Sequence, residues 1–292
     1  MSFSVVTDTS ANLPNHLLRD RNITVLPFSY YMNGKEYIDL EGQEFDAVSF
    51  FTAMRVGVSV TTSQIPPQRY ADCFEPLLKA GQDILFVSMS SGISGSYQSS
   101  LIAAKELLEA YPERKIRCVD SGTASLGEGL QALRAAELRD EGKSLDEAAD
   151  ILEKERYNVC SIFTVGDLQY LRATGRLSGM GALLGTMLNI KPVLKGDETF
   201  HIVLAGKVRG RRKVIENLAA RYDKYAVAPE QQLVGVAHCD CRADADYLIQ
   251  LLRRNRPPRD VLLVDYEPVT GSHLGPDSLA LFFRGDDQVR TR

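Results

Sequence analysis

The segment Ser88-Met-Ser-Ser-Gly-Ile-Ser-Gly-Ser-Tyr97 joins an apolar run, Ile84–Val87, to an amphipathic one, Leu101–Leu108. A strand-to-helix turn made almost wholly of Ser and Gly narrows the choice of fold, because it belongs to the strand–helix rhythm of an open α/β sheet. Glycines let backbone come close to a ligand. The head of the following helix adds unpaired N–H groups, a positive dipole end and neighbouring hydroxyls. Such a turn holds an oxyanion, be it phosphate, carboxylate or the oxyanion of a reaction intermediate.

The same device recurs along the chain. Ser2–Val6 reads as a strand running into Thr7-Asp8-Thr9-Ser10, after which Leu13-Pro14 opens a short helix. Val60–Pro67 reads as a proline-restricted loop that places Thr62, Ser63 and Gln64 before a helix over Arg69–Lys79. Ile116–Asp120 is a strand, and Ser121–Gly129 a Ser/Gly-rich turn into a helix ending near Glu141. These hydroxyl-rich turns predict a doubly wound parallel sheet with a binding cleft at its carboxyl ends. Between the first two, Ile23–Tyr31, Asn33-Gly34 and Lys35–Ile38 read as a β-hairpin arm over about 23–40.

Ser144 and Glu147 stand in capping-box spacing at the head of a helix over Ser144–Glu155, and a domain boundary is expected near 157. Beyond it the chain reads as a strand over Val159–Val165, a helix over Asp167–Ala173, strands over Ile190–Leu194 and Phe200–Lys207, and a helix over Arg211–Tyr225. A strand over Leu233–His238, a helix over Asp244–Arg254 and a strand over Val261–Asp265 follow. Gly271–Pro276 reads as a turn-forming loop with one imidazole, His273, and 285–292 as a solvated tail. The expectation is therefore an N-terminal α/β domain over 1–157 and a C-terminal α+β domain over 158–284. The apolar segment Gly175–Leu188 carries glycines at 175, 179, 181 and 185, each costing about 1 kcal/mol in a helix interior. Either another element packs tightly there or a narrow apolar ligand runs past.

Several function classes fall away. A formal charge of −4 argues against general nucleic-acid binding. The opening Met-Ser-Phe-Ser-Val-Val enters a strand-like run directly, which predicts no secretory leader, and the most apolar window is cut by Lys191 and Pro192. Five scattered cysteines suit reduced thiols in a cytoplasmic protein. His238-Cys-Asp-Cys241 lacks the second ligand pair that a structural metal needs. Gly92-Ile-Ser-Gly-Ser96 is not the Gly-x-Ser-x-Gly elbow of a serine hydrolase, and no phosphate-loop or dinucleotide glycine pattern occurs. The chain offers donors and cations without an activated nucleophile, which favours binding an anion over transforming it. A hydrolase or transferase using Ser94 or Ser91 on a small anionic substrate is the alternative.

Thr7-Asp-Thr-Ser10, Thr62-Ser-Gln64, Ser90–Tyr97, Asp120-Ser121, Leu168-x-Tyr-Leu-x-x-x-Gly-Arg176, Leu188-Asn-Ile-Lys-Pro192 and Gly271–Pro276 together resemble the DegV family, in order and over nearly the whole chain. The resemblance implies a two-domain, non-catalytic fatty-acid-binding protein with its ligand between the domains, acting as the acyl-carrying subunit of a bacterial fatty acid kinase. It implies no cofactor other than bound fatty acid, an ATP-dependent kinase subunit as partner, and no contact with membranes beyond a transient one at the surface. Carried over by position, Thr62, Ser94, Gly95, Arg176 and His273 would hold the carboxylate. Ile93, Met180, Leu183, Leu184 and Met187 would line the acyl tunnel, and Arg209 would engage the kinase. Another amphipathic carboxylate, retinoid-like or isoprenoid, fits the same pattern. The chain departs from the family pattern at Ile65, which separates Gln64 from the usual proline, and at Ser96, which stands for a threonine.

Overall fold

The computed structural model describes residues 3–38, 45–177 and 189–291. Strand β1 (Phe3–Asp8) buries Val5 and Val6 completely and turns through a 3-10 segment into the short helix α1 (Asn15–Asp20). β2 (Ile23–Leu26) pairs with β1 in parallel, Val5 beside Ile23 and Asp8 beside Leu26. Pro27 has no N–H to give a ladder, and there the apolar run Ile23–Tyr31 divides. β3 (Ser29–Met32) leaves the parallel sheet and pairs with β4 (Lys35–Ile38) across Asn33 and Gly34, at φ +53° and +75°. Two positive φ values are what a two-residue hairpin demands, so the Asn-Gly reading holds while the arm begins at 29 rather than 23.

Helix α2 (Ala47–Arg55) is capped by Asp46, whose carboxylate accepts from Ser49 N–H at 3.0 Å. The chain then returns as β5 (Val60–Ser63), antiparallel to β3 with Thr62 opposite Tyr30. This corrects the expected loop over Val60–Pro67. The prolines restrict only the residues next to them, and Val-Thr-Thr, β-branched and adjacent to an open strand edge, pairs instead. α3 (Pro67–Lys79), β6 (Asp83–Ser88), α4 (Ser96–Ala110), β7 (Ile116–Asp120), α5 (Leu126–Asp140) and α6 (Leu145–Glu155) continue the α/β rhythm. The parallel sheet has the order β2-β1-β6-β7, and β4-β3-β5 form a separate small sheet. The capping box at Ser144 and Glu147 is formed as its spacing predicts.

The chain divides into two compact units, Met1–Glu44 with Val60–Arg156, and Phe45–Ser59 with Tyr157–Arg292. The second therefore takes α2 as well as everything beyond α6. Its strands are β8 (Val159–Thr164), β9 (Ile190–Gly196), β10 (Ile202–Arg209), β11 (Leu233–His238), β12 (Asp260–Asp265) and β13 (Leu279–Arg284). They form one sheet in the order β10-β9-β8-β13-β11-β12, antiparallel except for β11 beside β12. Helix α7 (Gln169–Ala173) follows β8. Helices α8 (Arg211–Tyr225) and α9 (Arg242–Asn255) cover the sheet through Leu218, Tyr222, Leu248 and Leu252, with Tyr222 edge-on to Phe283 at 5.1 Å.

Two expectations in this unit are overturned. Gly271–Pro276 is not a free loop, because Pro268–Leu274 forms a helix, α10. Glu267 caps it by accepting from Val269 N–H (2.6 Å) and Thr270 N–H (2.7 Å), Pro268 sits in its first turn, and Gly275 at φ +78° ends it. Nor is 285–291 a solvated tail. Val289 and Arg290 are buried, and Arg290 donates to Val159 O at 3.0 Å and lies over the ring of Phe200. A guanidinium that finds carbonyl acceptors inside the unit binds the end of the chain down.

Candidate functional site

In the first unit the residues after β6 are laced to those after β7. Ser90 N–H donates to Thr123 O at 2.8 Å and Ser121 N–H to Ser88 O at 3.1 Å. Asp120, the last residue of β7, adds its Oδ1, which accepts from Ser91 N–H at 3.2 Å and Gly122 N–H at 2.9 Å. Asp8, at the end of β1, stands below the same turn, its Oδ2 3.5 Å from Met89 N. The hydroxyl-rich turns after β1, β6 and β7 thus meet at the carboxyl edge of one parallel sheet, where open α/β sheets bind ligands.

The fourth polar cluster arrives from the small sheet. Gln64 follows β5 and reaches the head of α4, where its Nε2 donates to Ser99 Oγ at 3.1 Å and Ile65 N–H donates to Ser96 Oγ at 3.1 Å. A Cβ on Gly95 would stand 2.1 Å from Gln64 Oε1, so glycine is what allows this approach. Ser94 Oγ accepts from Ser96 N–H at 3.2 Å and donates to Ser96 Oγ at 3.0 Å. Those bonds go to a hydroxyl and an amide, whereas a nucleophile needs a base within hydrogen-bond reach. Thr62, two residues before Gln64, is half-buried on β5, and Ile93 is half-buried within the turn. Ile65, a departure from the family pattern, is fully buried and anchors the end of the small sheet.

A residue that patterns did not single out sits beneath this patch. Glu128, in the first turn of α5, is fully buried with Asp8, and Ser10 stands between them. Burial pushes both carboxyls up, and the charge of Asp8 pushes Glu128 further. The available sign was the triplet Gly127-Glu-Gly129, for a Cβ on Gly129 would lie 2.4 Å from Ala11 O. Helix α5 is pressed that closely onto the turn after β1.

In the second unit Arg176 follows α7, its guanidinium bonded to Thr174 O. His273 lies on α10, and its imidazole is pushed down to about 4, first by burial and then by the positive charge of Arg176. These two expected site residues therefore act on each other, and His273 is a neutral ring at neutral pH. Arg209 is exposed at the end of β10. Its neighbours are already engaged, Arg211 with Asp244 at 2.7 Å and Arg212 with Glu216 and Tyr247. Met180, Leu183, Leu184 and Met187 lie outside the described residues. His238 is 3.1 Å from Asp265, Cys241 donates to Ser278 O, and among the described residues no cluster of His, Cys, Asp or Glu could hold a metal ion. No helix among the described residues is long and apolar enough to cross a membrane.

A parallel sheet edged with hydroxyl turns, in one chain with a six-stranded mixed sheet, defines a two-unit α/β protein. A family model described as "Uncharacterised protein, DegV family" matches residues 2–286. The chain belongs to the DegV family. A DegV domain-containing protein of Clostridium perfringens is 37% identical over 97% of this chain and 98% of its own length. Among solved structures, a fatty-acid-binding DegV family protein from Thermus thermophilus superposes with a TM-score of 0.88 at 30% identity, covering 98% of this chain and 100% of the other. DegV of Bacillus subtilis, a fatty acid binding protein, gives 0.85 at 29% identity over 98% and 100% of the two chains. The Thermus thermophilus and Bacillus subtilis proteins are both fatty acid binders.

Proposed function

We propose that this chain binds a long-chain fatty acid in an apolar tunnel and presents its carboxylate to a separate ATP-dependent kinase subunit, which phosphorylates it to an acyl phosphate. The observation that carries the reading is the Ser94–Ser96 turn at the head of α4, in a chain whose family includes fatty acid binders of known structure. Ser94, Gly95 and Thr62 of the first unit and Arg176 and His273 of the second are assigned to the carboxylate. Ile93, Met180, Leu183, Leu184 and Met187 are assigned to the tail, and exposed Arg209 to the kinase.

The division of labour follows from magnitudes. Each buried methylene contributes about 0.8 kcal/mol, so a tail of about sixteen carbons supplies roughly 12 kcal/mol before ordering costs, far more than a pair of hydroxyl hydrogen bonds. The tail sets affinity and the head-group residues set orientation. Neutral His273 supports this, since it hydrogen-bonds a carboxylate without neutralising it and leaves the oxygen nucleophilic toward a phosphoryl donor. Native mass spectrometry of the purified protein tests the ligand: a co-purified fatty acid is expected, and its consistent absence together with no binding on titration would sink the reading. Ser94→Ala, Thr62→Ala and His273→Ala are expected to slow acyl phosphate formation by the partner kinase more than they weaken fatty acid binding. Equal losses in both would remove the orienting role.

A further inference from the structure

Ser10 Oγ lies 2.5 Å from Asp8 Oδ1 and 2.6 Å from Glu128 Oε2. Both separations belong to short hydroxyl–carboxyl hydrogen bonds. A serine hydroxyl owns one proton and donates once. With both carboxyls ionised, one of the two contacts would set oxygen against oxygen with no proton between. The missing proton must come from a carboxyl group.

The remaining contacts say which one. Thr7 Oγ1 is 2.9 Å from Val87 O and 3.0 Å from Glu128 Oε1, and it too has a single proton for two acceptors. Glu128 thus meets hydroxyls whose protons have other acceptors and, directly, the side chain of Asp8, a carboxyl–carboxyl contact that itself requires a proton and raises Glu128. Asp8 is served by backbone instead, with Ser10 N–H at 2.9 Å on Oδ1 and Met89 N–H at 3.5 Å from Oδ2, donors that favour an ionised carboxylate. The proton count closes when Glu128 O–H donates to Ser10 Oγ, Ser10 O–H donates to Asp8, and Asp8 accepts the backbone N–H groups.

We infer that Glu128 is held as a neutral acid at neutral pH and is a positioning residue: through Ser10 and Asp8 it fixes the root of the Ser88–Tyr97 turn, and it keeps a second negative charge from beneath an anion site. The electrostatics agree, since burial raises both carboxyls and the charge of Asp8 raises Glu128 further. The titratable group facing the pair from α3 is the buried phenol of Tyr70, itself raised by burial and then by Asp8. From β7, Asp120 braces the same turn, and no cation is among the groups acting most strongly on either carboxyl. Once Glu128 ionises, the Ser10 bridge loses a proton and anion affinity falls.

The ligand part of this inference rests on the fatty acid reading; the proton part does not. Infrared difference spectra of the unliganded protein at neutral pH, wild type minus Glu128→Gln, are expected to show the C=O stretch of a buried protonated carboxyl in the wild type alone. Its absence overturns the inference. Should the variant not fold, carboxyl carbon NMR of the wild type decides: one glutamate resonance is expected to stay at its protonated position through neutral pH, and titration of every glutamate in the ordinary acid range refutes it. Binding of a fluorescent fatty acid is expected to weaken on the alkaline side in the wild type, as Glu128 ionises, and to stay flat in Glu128→Gln, whose amide donates to Ser10 and accepts from Thr7. A variant that follows the same alkaline fall removes the positioning role. If neither protein binds fatty acid at any pH, the fatty acid reading fails while the infrared band still decides the state of Glu128.

Discussion

His273 gives the second unit a measurable pH dependence. The ring is mostly buried on α10, and its pKa drops from the ordinary 6.5 to about 4, with burial the larger cause and Arg176 the smaller. A native state that refuses the proton until about pH 4, set against an unfolded chain that accepts it at 6.5, binds fewer protons across that window. Stability from this residue is therefore complete above pH 6.5 and is lost as pH falls toward 4. The full gap of 2.5 units, 6.5 minus 4, corresponds to about 3 kcal/mol, of which about 2 kcal/mol is gone by about pH 5. Denaturant unfolding of the unliganded protein at about pH 7 and pH 5, wild type beside His273→Gln, isolates the term: the wild type is expected to lose about 2 kcal/mol more than the variant. Imidazole proton NMR provides the direct reading, with the His273 resonance remaining neutral at pH 5. A midpoint near 6.5, or equal losses in the two proteins, would refute the reasoning.

Further outcomes follow from single contacts. Arg290→Ala, which leaves the carbonyl of Val159 without its charged donor and uncovers the ring of Phe200, is expected to cost about 3 kcal/mol in denaturant unfolding; a loss below about 1 would mean that buried Val289 and the bonds from Lys195 to Val289 O and Thr291 O hold the end of the chain without it. Gly129→Ala would drive a methyl to 2.4 Å from Ala11 O, a backbone atom that cannot swing aside, so a loss of about 2 to 4 kcal/mol is expected. Gly142→Ala is the control: its φ is +82° but nothing stands within 4 Å, so only backbone strain of about 1 kcal/mol remains. Gly95→Ala meets the movable end of Gln64, and calorimetry is expected to show a small stability change with a clear loss of fatty acid affinity.

What the sequence disclosed and what it hid divide along a physical line. α8 and β11 fall on the expected residues from end to end, because hydrophobic periodicity, the preceding Gly210 and the flanking polar residues are all local. The Asn33-Gly34 hairpin and the Ser144–Glu147 box are local too. β5 was hidden because a strand at a sheet edge is defined by its partner, here β3, nearly thirty residues away. α10 is written locally in Glu267, Pro268 and Gly275, its cap, first turn and stop, but Gly271 and Ser272 inside so short a helix carry the composition of a turn. For the site, the hydroxyl turns were legible as compositional runs, whereas Glu128 was not. A buried acid in a helix looks like any surface glutamate until the chain brings Asp8 and Ser10 to it from more than a hundred residues away.

The allegiance of α2 to the second unit sets a clock. The ring of Phe51 lies so near Gly271 that a Cβ there would stand 2.8 Å from it, and Tyr170 donates to Met54 O, so this helix finds its resting place among residues that the ribosome adds last. At synthesis rates of about 5 to 20 residues per second, the interval between emergence of α2 and emergence of α10 is roughly ten to forty seconds. During that time Phe50, Phe51 and Met54, all buried in the finished protein, stand without their cover. The nascent chain thus passes through a long stage in which a greasy helix hangs between two finished strands, a natural point of engagement for a ribosome-associated chaperone. A fragment ending at Arg156 would remain at that stage indefinitely.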